Sequence, residues 1–220
     1  MPRQRDISAF YYTAATGIDD GRVYEYRVAG NDTIPPYYWH YQTKKDKDIT
    51  FLLGQYLDET LTPRQFAKEK ITKSGALMQD YFFVGRTAQG AMLRVPVTVL
   101  DANVFPFQII GTTDAFLFRA QYSETGDSSN ITMLTRLRRW VGDTTIVWKG
   151  QQLPCIRFEV TESLDNQQEG HFEQQFSGEE WYAKGIGLVR YSKEITPKIF
   201  LQYVLHDVYP IEQLNQTINK

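Results

Sequence analysis

Apolar and polar residues alternate with a period of two along most of this chain, and that pattern limits its folding options more than any other feature. Tyr24, Tyr26 and Val28 share one face of the run Arg22–Ala29, with Glu25 and Arg27 on the other. Tyr37, Trp39 and Tyr41 share a face in the next run. Phe116, Phe118, Ala120 and Tyr122 alternate with Leu117, Arg119 and Gln121, and Ile156, Phe158 and Val160 alternate with Cys155, Arg157 and Glu159. Successive side chains of a strand point to opposite faces, so this period marks half-buried strands. Aromatics are 14% of the residues, a composition that suits a pleated surface.

Turn chemistry separates the runs: Asp20-Gly21, Gly30-Asn31-Asp32, Lys45-Asp46-Lys47-Asp48, Ser74-Gly75, Gln89-Gly90, Gly126-Asp127, Gly142-Asp143, Lys149-Gly150, Glu169-Gly170 and Ser177-Gly178. Gly and Asn accept the positive φ of tight hairpins. Helices alternating with strands, which a parallel sheet needs, are missing. The expected fold is therefore mostly β: one large, strongly curved antiparallel sheet, a half-barrel or open barrel, with few short helices. Its 220 residues fit a single domain over 1–220, and the loop Asp101–Phe107, with Pro106, is the candidate hinge between two halves of the sheet. Asp6–Ala15 and the tail after Tyr209 are the places for short helices.

Two stretches are less direct. Thr62-Pro63-Arg64-Gln65 reads as a helix start. Yet Phe66, Lys68, Lys70 and Thr72 alternate with Ala67, Glu69, Ile71 and Lys73, which favours a strand that Ser74-Gly75 turns into Ala76–Val84. Gly54 interrupts Ile49–Leu57 and predicts a bulge or sharp bend.

Charge and motifs remove several functions. The 24 basic and 26 acidic residues give a net charge of −2, without the basic excess that nucleic-acid binding normally needs. No apolar run approaches the ~18 residues of a transmembrane span. The segment Met-Pro-Arg-Gln-Arg-Asp is polar and shows no signal peptide, which fits either a cytoplasmic protein or the mature form of a cleaved precursor. The single cysteine, Cys155, allows no internal disulfide and reads as a small strand residue, with no His near it in sequence to act as a base. His40, His171 and His206 show no metal-pair spacing, and His40 falls opposite the Trp39 face. Gly185-Ile186-Gly187 lacks the third glycine and the helix of a phosphate loop, and reads as a bend. The sequence thus points to no catalytic residue, metal or cofactor. Asn31-Asp-Thr33, Asn130-Ile-Thr132 and Asn215-Gln-Thr217 match the N-glycosylation pattern, which matters only in a eukaryotic secretory setting.

Two charged clusters carry chemical options. Glu159, Glu162, Glu169, Glu173, Glu179 and Glu180 include the two carboxylates a glycosidase needs, but such alternation is also what a solvated strand face shows, and that reading is preferred. Arg136, Arg138 and Trp140 share one face, where they could bind an anion or stack on a base. A charge-protected edge strand is the preferred reading.

The segment Glu179-Glu-Trp-Tyr-Ala-Lys-Gly-Ile-Gly-Leu-Val-Arg190 resembles the WYAKGVGLVK element near the C-terminus of uncharacterised bacterial cell-envelope proteins and lipoproteins. The surrounding order is similar too: a Gly21–Tyr26 strand, an aromatic strand at Tyr37–Tyr41, the Asp101–Phe107 loop and a last strand at Ile199–His206. The resemblance implies a curved sheet like the half-barrels of lipoprotein carriers, and a home in the periplasm or on the outer-membrane surface. It supplies no catalytic residues. The sequence departs from the pattern in showing no leader and no lipobox cysteine. Physically, Trp181, Gly185 and Gly187 read as a fold-determining turn, a hairpin that closes the sheet.

Three functions fit this reading. A non-enzymatic envelope module would hold a lipid or another apolar ligand against Tyr24, Tyr26, Tyr37, Trp39, Tyr41, Phe116 and Phe118, unless these are ordinary core. A structural or interaction subunit of an envelope assembly would dock partners by strand addition. A hydrolase would need two of Glu159, Glu173, Glu179 and Glu180 in one cleft. The non-enzymatic readings are preferred.

Overall fold

The alternating runs fold as strands, and in sequence order nearly every one pairs antiparallel with the next. The computed structural model describes residues 4–86, 89–111, 114–123, 130–166, 172–196 and 199–214. A short β1 (Arg5–Asp6) precedes β2 (Arg22–Val28), β3 (Tyr37–Asp46), β4 (Ile49–Leu57), β5 (Pro63–Ile71), β6 (Gly75–Arg86) and β7 (Met92–Pro106). A short β8 (Gln108–Ile109) precedes β9 (Ala115–Tyr122), β10 (Thr132–Trp148), β11 (Gln151–Asn166), β12 (Phe172–Ala183), β13 (Gly187–Thr196) and β14 (Ile199–Pro210). Pro63–Ile71 is thus a strand, as its alternation indicated. Where short helices were expected, Asp6–Ala15 holds 3₁₀ turns at Ser8–Phe10 and Tyr12–Ala14 and the tail after Tyr209 one at Ile211–Gln213, and a further 3₁₀ turn that the sequence did not indicate lies at Ile18–Asp20.

The sheet closes on itself. β14 pairs with β2, placing Tyr24 opposite Val208, and β7 and β10 both pair with β9. The result is a closed barrel of twelve strands, which corrects the half-barrel or open barrel expected above. Local alternation reports curvature poorly; closure depends on strand tilt and stagger around the whole ring. Among the described residues it gives every barrel strand a neighbour on both sides and so leaves no edge strand.

Three local readings also change. Asp101–Phe107 is no loop: residues up to Pro106 end β7, and Phe105 is fully buried. Gly142 sits at a bulge within β10, and Ser177 and Gly178 lie in the middle of β12, opposite Thr161 and Val160, so neither pair is a turn. Gly54 pairs in unbroken register with Tyr41 and Ala67. It is glycine because a Cβ there would lie 2.7 Å from the Tyr41 ring, which stacks on Trp39. The turns expected at Gly126-Asp127 and Glu169-Gly170 lie outside the described residues.

The N-terminal segment plugs one end of the barrel. β1 pairs with β8, and the Ile7 amide donates to the Phe107 carbonyl at 2.9 Å. Beyond them Tyr11 and Tyr12 enter the lumen. Tyr11 stacks on Phe105 with ring centres 4.6 Å apart, and Tyr12 stacks on Tyr41 at 4.1 Å and meets Tyr24 edge-on at 5.1 Å. Aromatic pairs in these geometries contribute about 0.5–1.5 kcal/mol each beyond their burial. The Trp181–Arg190 segment is the β12–β13 hairpin; it does not close the sheet as expected, since β14 and β2 do, and its turn rests on this plug, where the Gly185 amide donates to the Ala9 carbonyl at 2.8 Å. Trp181 faces outward instead, where Arg190 covers its ring and its indole N–H donates to Glu179 at 3.0 Å.

Candidate functional site: the barrel lumen

The plug fills only part of the lumen. Above Tyr11 and Tyr12 lies a cavity of about 430 Å³, within the size range of small-molecule sites. Its walls are aromatic and its middle is charged. β3, β4, β6, β13 and β14 contribute Tyr37, Trp39, Tyr56, Tyr81, Tyr191 and Tyr203. β5, β10, β11, β12 and β13 contribute Glu69, Arg136, Arg138, Glu162, Glu180 and Lys193.

Register explains how charges come to lie inside. Arg136 sits opposite Phe118 on one side and Glu162 on the other, and Arg138 opposite Phe116 and Val160. All belong to the inward face. Arg136, Arg138 and Trp140 do share a face, but it is the core face, which corrects the solvated edge strand preferred from the sequence. The acidic cluster divides between faces. Glu159 and Glu179 bind Arg139 and Arg157 outside, and Glu173 is exposed, whereas Glu162 and Glu180 point inward.

Two groups form in the lumen. The deeper is Arg138–Glu180–Tyr182. Arg138 donates from Nε to Glu180 Oε2 at 2.7 Å and from Nη2 to Oε1 at 3.2 Å, and the Tyr182 hydroxyl donates to Oε2 at 2.9 Å. Burial alone would raise the Glu180 carboxyl, but Arg138 and then Arg136 outweigh it and hold it below the usual range. The second group is Arg136–Glu162–Lys193. Arg136 Nε donates to Glu162 Oε2 at 2.8 Å, and Lys193 Nζ donates to Oε1 at 2.7 Å. Despite burial, the two cations hold the Glu162 carboxyl down at about 2. Lys193 also lies over the Phe176 ring, 3.7 Å from its centre. Arg136 and Lys193 stand inside the barrel with 35% and 32% of their side chains accessible, and that accessible surface faces the cavity.

Glu69 is different. It is buried and accepts a hydrogen bond from the Tyr11 hydroxyl of the plug. Burial raises its carboxyl to about 7, against the lowering pull of Tyr11 and Arg138. By type these residues include an acid and ionised carboxylates, as a glycosidase would have. Each is already committed, however: Glu180 to Arg138 and Tyr182, Glu162 to two cations, Glu69 to Tyr11.

Of the lining expected from the sequence, Tyr37, Trp39, Tyr41 and Phe118 border the cavity. Tyr24 and Tyr26 are fully buried below it, where their hydroxyls donate to the carbonyls of Ile186 and Leu188 at 3.0 and 2.8 Å. Phe116 packs against the core. Sequence reasoning passed over Tyr11, Glu69, Lys193 and the inward role of Glu162. One signal was present: Glu69 alternates in phase with Ala67 and Ile71, and Glu162 in phase with Phe158 and Val160. Of the other polar candidates, Cys155 is buried and its thiol is pushed up to about 11 by burial, and His206 is exposed. His40 packs beside Gly21, with its ionisation lowered by burial, and His171 lies outside the described residues. Among the described residues no group of three His, Cys, Asp or Glu could hold a metal, and no helix is long and apolar enough to cross a membrane.

Fold and site together define a class: a closed antiparallel barrel, plugged at one end, with a cavity whose walls are aromatic and whose middle is ionic. Solved structures of this fold exist. The chain is similar to a candidate lipoprotein from Parabacteroides distasonis, with 13% identity and a TM-score of 0.56 over 93% of this chain and 100% of that one. It is also similar to a candidate exported protein with YmcC-like fold from Bacteroides fragilis, with 12% identity and a TM-score of 0.50 over 87% of this chain and 96% of that one. At such identities the likeness establishes the fold. No protein-family model and no curated protein matches the sequence.

Proposed function

We propose that this protein is a non-enzymatic component of a bacterial cell envelope that holds a small organic molecule in its barrel lumen. The observation that carries the reading is the cavity of about 430 Å³ that the plug leaves open, bounded by aromatic rings and fixed polar groups. Apolar walls with a few placed polar groups are the usual build of a small-molecule site. The charged middle changes the expected occupant from a purely apolar lipid to a molecule with both a ring or chain and a polar end. Support for the envelope setting comes from two proteins of similar fold, one described as a candidate lipoprotein and one as a candidate exported protein, and from the resemblance of the Trp181–Arg190 element.

Native mass spectrometry of the protein purified from its own cells tests the reading. The expected result is one organic adduct per chain, lost in Ala67→Trp, because Ala67 is a buried residue of the cavity wall and an indole there would fill the space the ligand needs. An empty wild-type protein that also fails to take up N-phenylnaphthylamine would refute it.

A second reading, an interaction subunit, rests on the β13–β14 hairpin, which exposes Ile195, Ile199 and Phe200 (43%, 63% and 56%). Because β13 and β14 are each paired on both sides, such docking would proceed through side chains rather than by strand addition.

A further inference from the structure

We infer that the lumen selects an organic anion, and that Arg136 and Lys193 form its receptor; this deepens the cavity-binding reading and rests on it. The argument begins with a charge count. The lumen holds three cations, Arg136, Arg138 and Lys193, and three carboxylates. Glu180 is taken up by the Nε and Nη2 donors of Arg138 and by the Tyr182 hydroxyl. Glu69 is bonded by Tyr11 and half-protonated near neutral pH, since burial lifts its carboxyl to about 7. That leaves Glu162 as the single carboxylate facing both Arg136 and Lys193. At this pair one negative charge answers two positive ones, and an anion bound there would offset the local excess.

The geometry agrees with the count. Arg136 reaches Glu162 through Nε and Nη2 only, so its Nη1 donors are uncommitted among the described residues. Lys193 gives one hydrogen bond to Glu162 and has further donors to offer. Both side chains are accessible from the cavity, as a receptor must be and as the closed Arg138–Glu180 pair is not. Around them stand Tyr37, Tyr191, Tyr203 and Phe176, which suit the apolar body of the ligand. A planar guanidinium and an ammonium at one point recognise a carboxylate, a sulfonate or a phosphate monoester alike. The class is therefore an acid with an apolar or ring-bearing body, whether a membrane-derived fatty acid or a soluble sugar acid.

Two matched probes test this on the whole protein: anilinonaphthalene sulfonate, and N-phenylnaphthylamine, which has the same rings without the charge. The expected result is one sulfonate bound per chain, roughly tenfold or more tighter than the neutral amine, with affinity falling as salt rises. Lys193→Met should weaken the sulfonate about tenfold and leave the amine unchanged. Glu162→Gln should act in the opposite direction, because it frees both cations. Displacement of the probe by laurate but not by dodecanol would assign the anion to a lipid source; displacement by glucuronate would assign it to a soluble acid. Equal binding of the two probes, with the sulfonate indifferent to both substitutions, would overturn the anion site yet leave the cavity-binding reading intact. Failure of both probes to bind folded wild-type protein would overturn both.

Discussion

Glu69 lies in the lumen, 5% exposed, beside a tyrosine from the plug. Its carboxyl is raised by burial from 4.5 to about 7. Below 4.5 the folded and unfolded chains both carry the proton. Between 4.5 and 7 only the folded chain keeps it, so stability falls as pH rises through that window, and the full cost is present above 7. Glu69→Gln removes the titration while keeping an acceptor for Tyr11. The variant should gain on the order of 3 kcal/mol over wild type near pH 8 and almost nothing near pH 4.5. Urea melts at the two pH values would decide; an equal gain at both would show that Glu69 does not titrate in this window. Glu162 runs the other way. Its carboxyl is held at about 2 by Arg136 and Lys193, so its contribution is present above the unfolded value and is lost as pH falls toward 2. Acid unfolding should therefore begin earlier in wild type than in Glu162→Gln relative to each protein's stability at neutral pH.

The β12–β13 hairpin shows what an element adds to its residues. Gly187 has φ +112°, a backbone state that side chains rarely adopt, and a Cβ there would lie 2.4 Å from the Tyr12 ring. Gly30 also has positive φ (+71°) but nothing within 4 Å. Gly30→Ala should cost about 1 kcal/mol from backbone strain alone. Gly187→Ala should cost clearly more, about 2–4 kcal/mol, because it adds a clash with the plug. Thermal melts of the two variants give the comparison, and equal shifts would mean that the ring moves aside freely. Elements of this kind were the legible part of the sequence. Alternation located the strands, and Asp20-Gly21 and Lys149-Gly150 punctuated them correctly, whereas of Lys45-Asp46-Lys47-Asp48 only Lys47 and Asp48 turn, since Lys45 and Asp46 end β3. It could not say which face of a strand points inward when both faces carry charge. Arg136 and Arg138 were read as solvated because charge is usually outside, and they are inside because Glu162 lies opposite Arg136 on the next strand and Glu180 and Lys193 arrive from the two strands after it. That pairing is a matter of register, which local pattern does not contain. Gly54 misled for a related reason: its partner is the Tyr41 ring across the ladder, not its own backbone.

At the scale of the whole molecule, closure is the property that no single segment specifies. β2 and β14 lie near opposite ends of the chain, and Val23 pairs with Tyr209 across 186 residues. Loop closure of that length must come before its contacts can contribute, so the barrel should fold slowly for its size. The same seam makes the C-terminal strand indispensable. Removing the chain after Thr196 deletes β14, leaves β2 and β13 as facing open edges, and uncovers Tyr26, which packs in the same core as Leu205. An exposed edge flanked by apolar rows is a template for pairing with another chain. The truncated protein should therefore lose its cooperative melt and elute as aggregate in size-exclusion chromatography, although β14 makes only its two ladders with β13 and β2 and the remaining ladders keep their strands. Loss of only the Leu214 end, by truncation after Gln213, keeps the seam and should preserve the transition, lowered by a cost of about 2–3 kcal/mol for one buried leucine. If the longer truncation also stayed monomeric and cooperative, the barrel would be stable as an open sheet, and the closure seen here would be an outcome of folding rather than a condition for it.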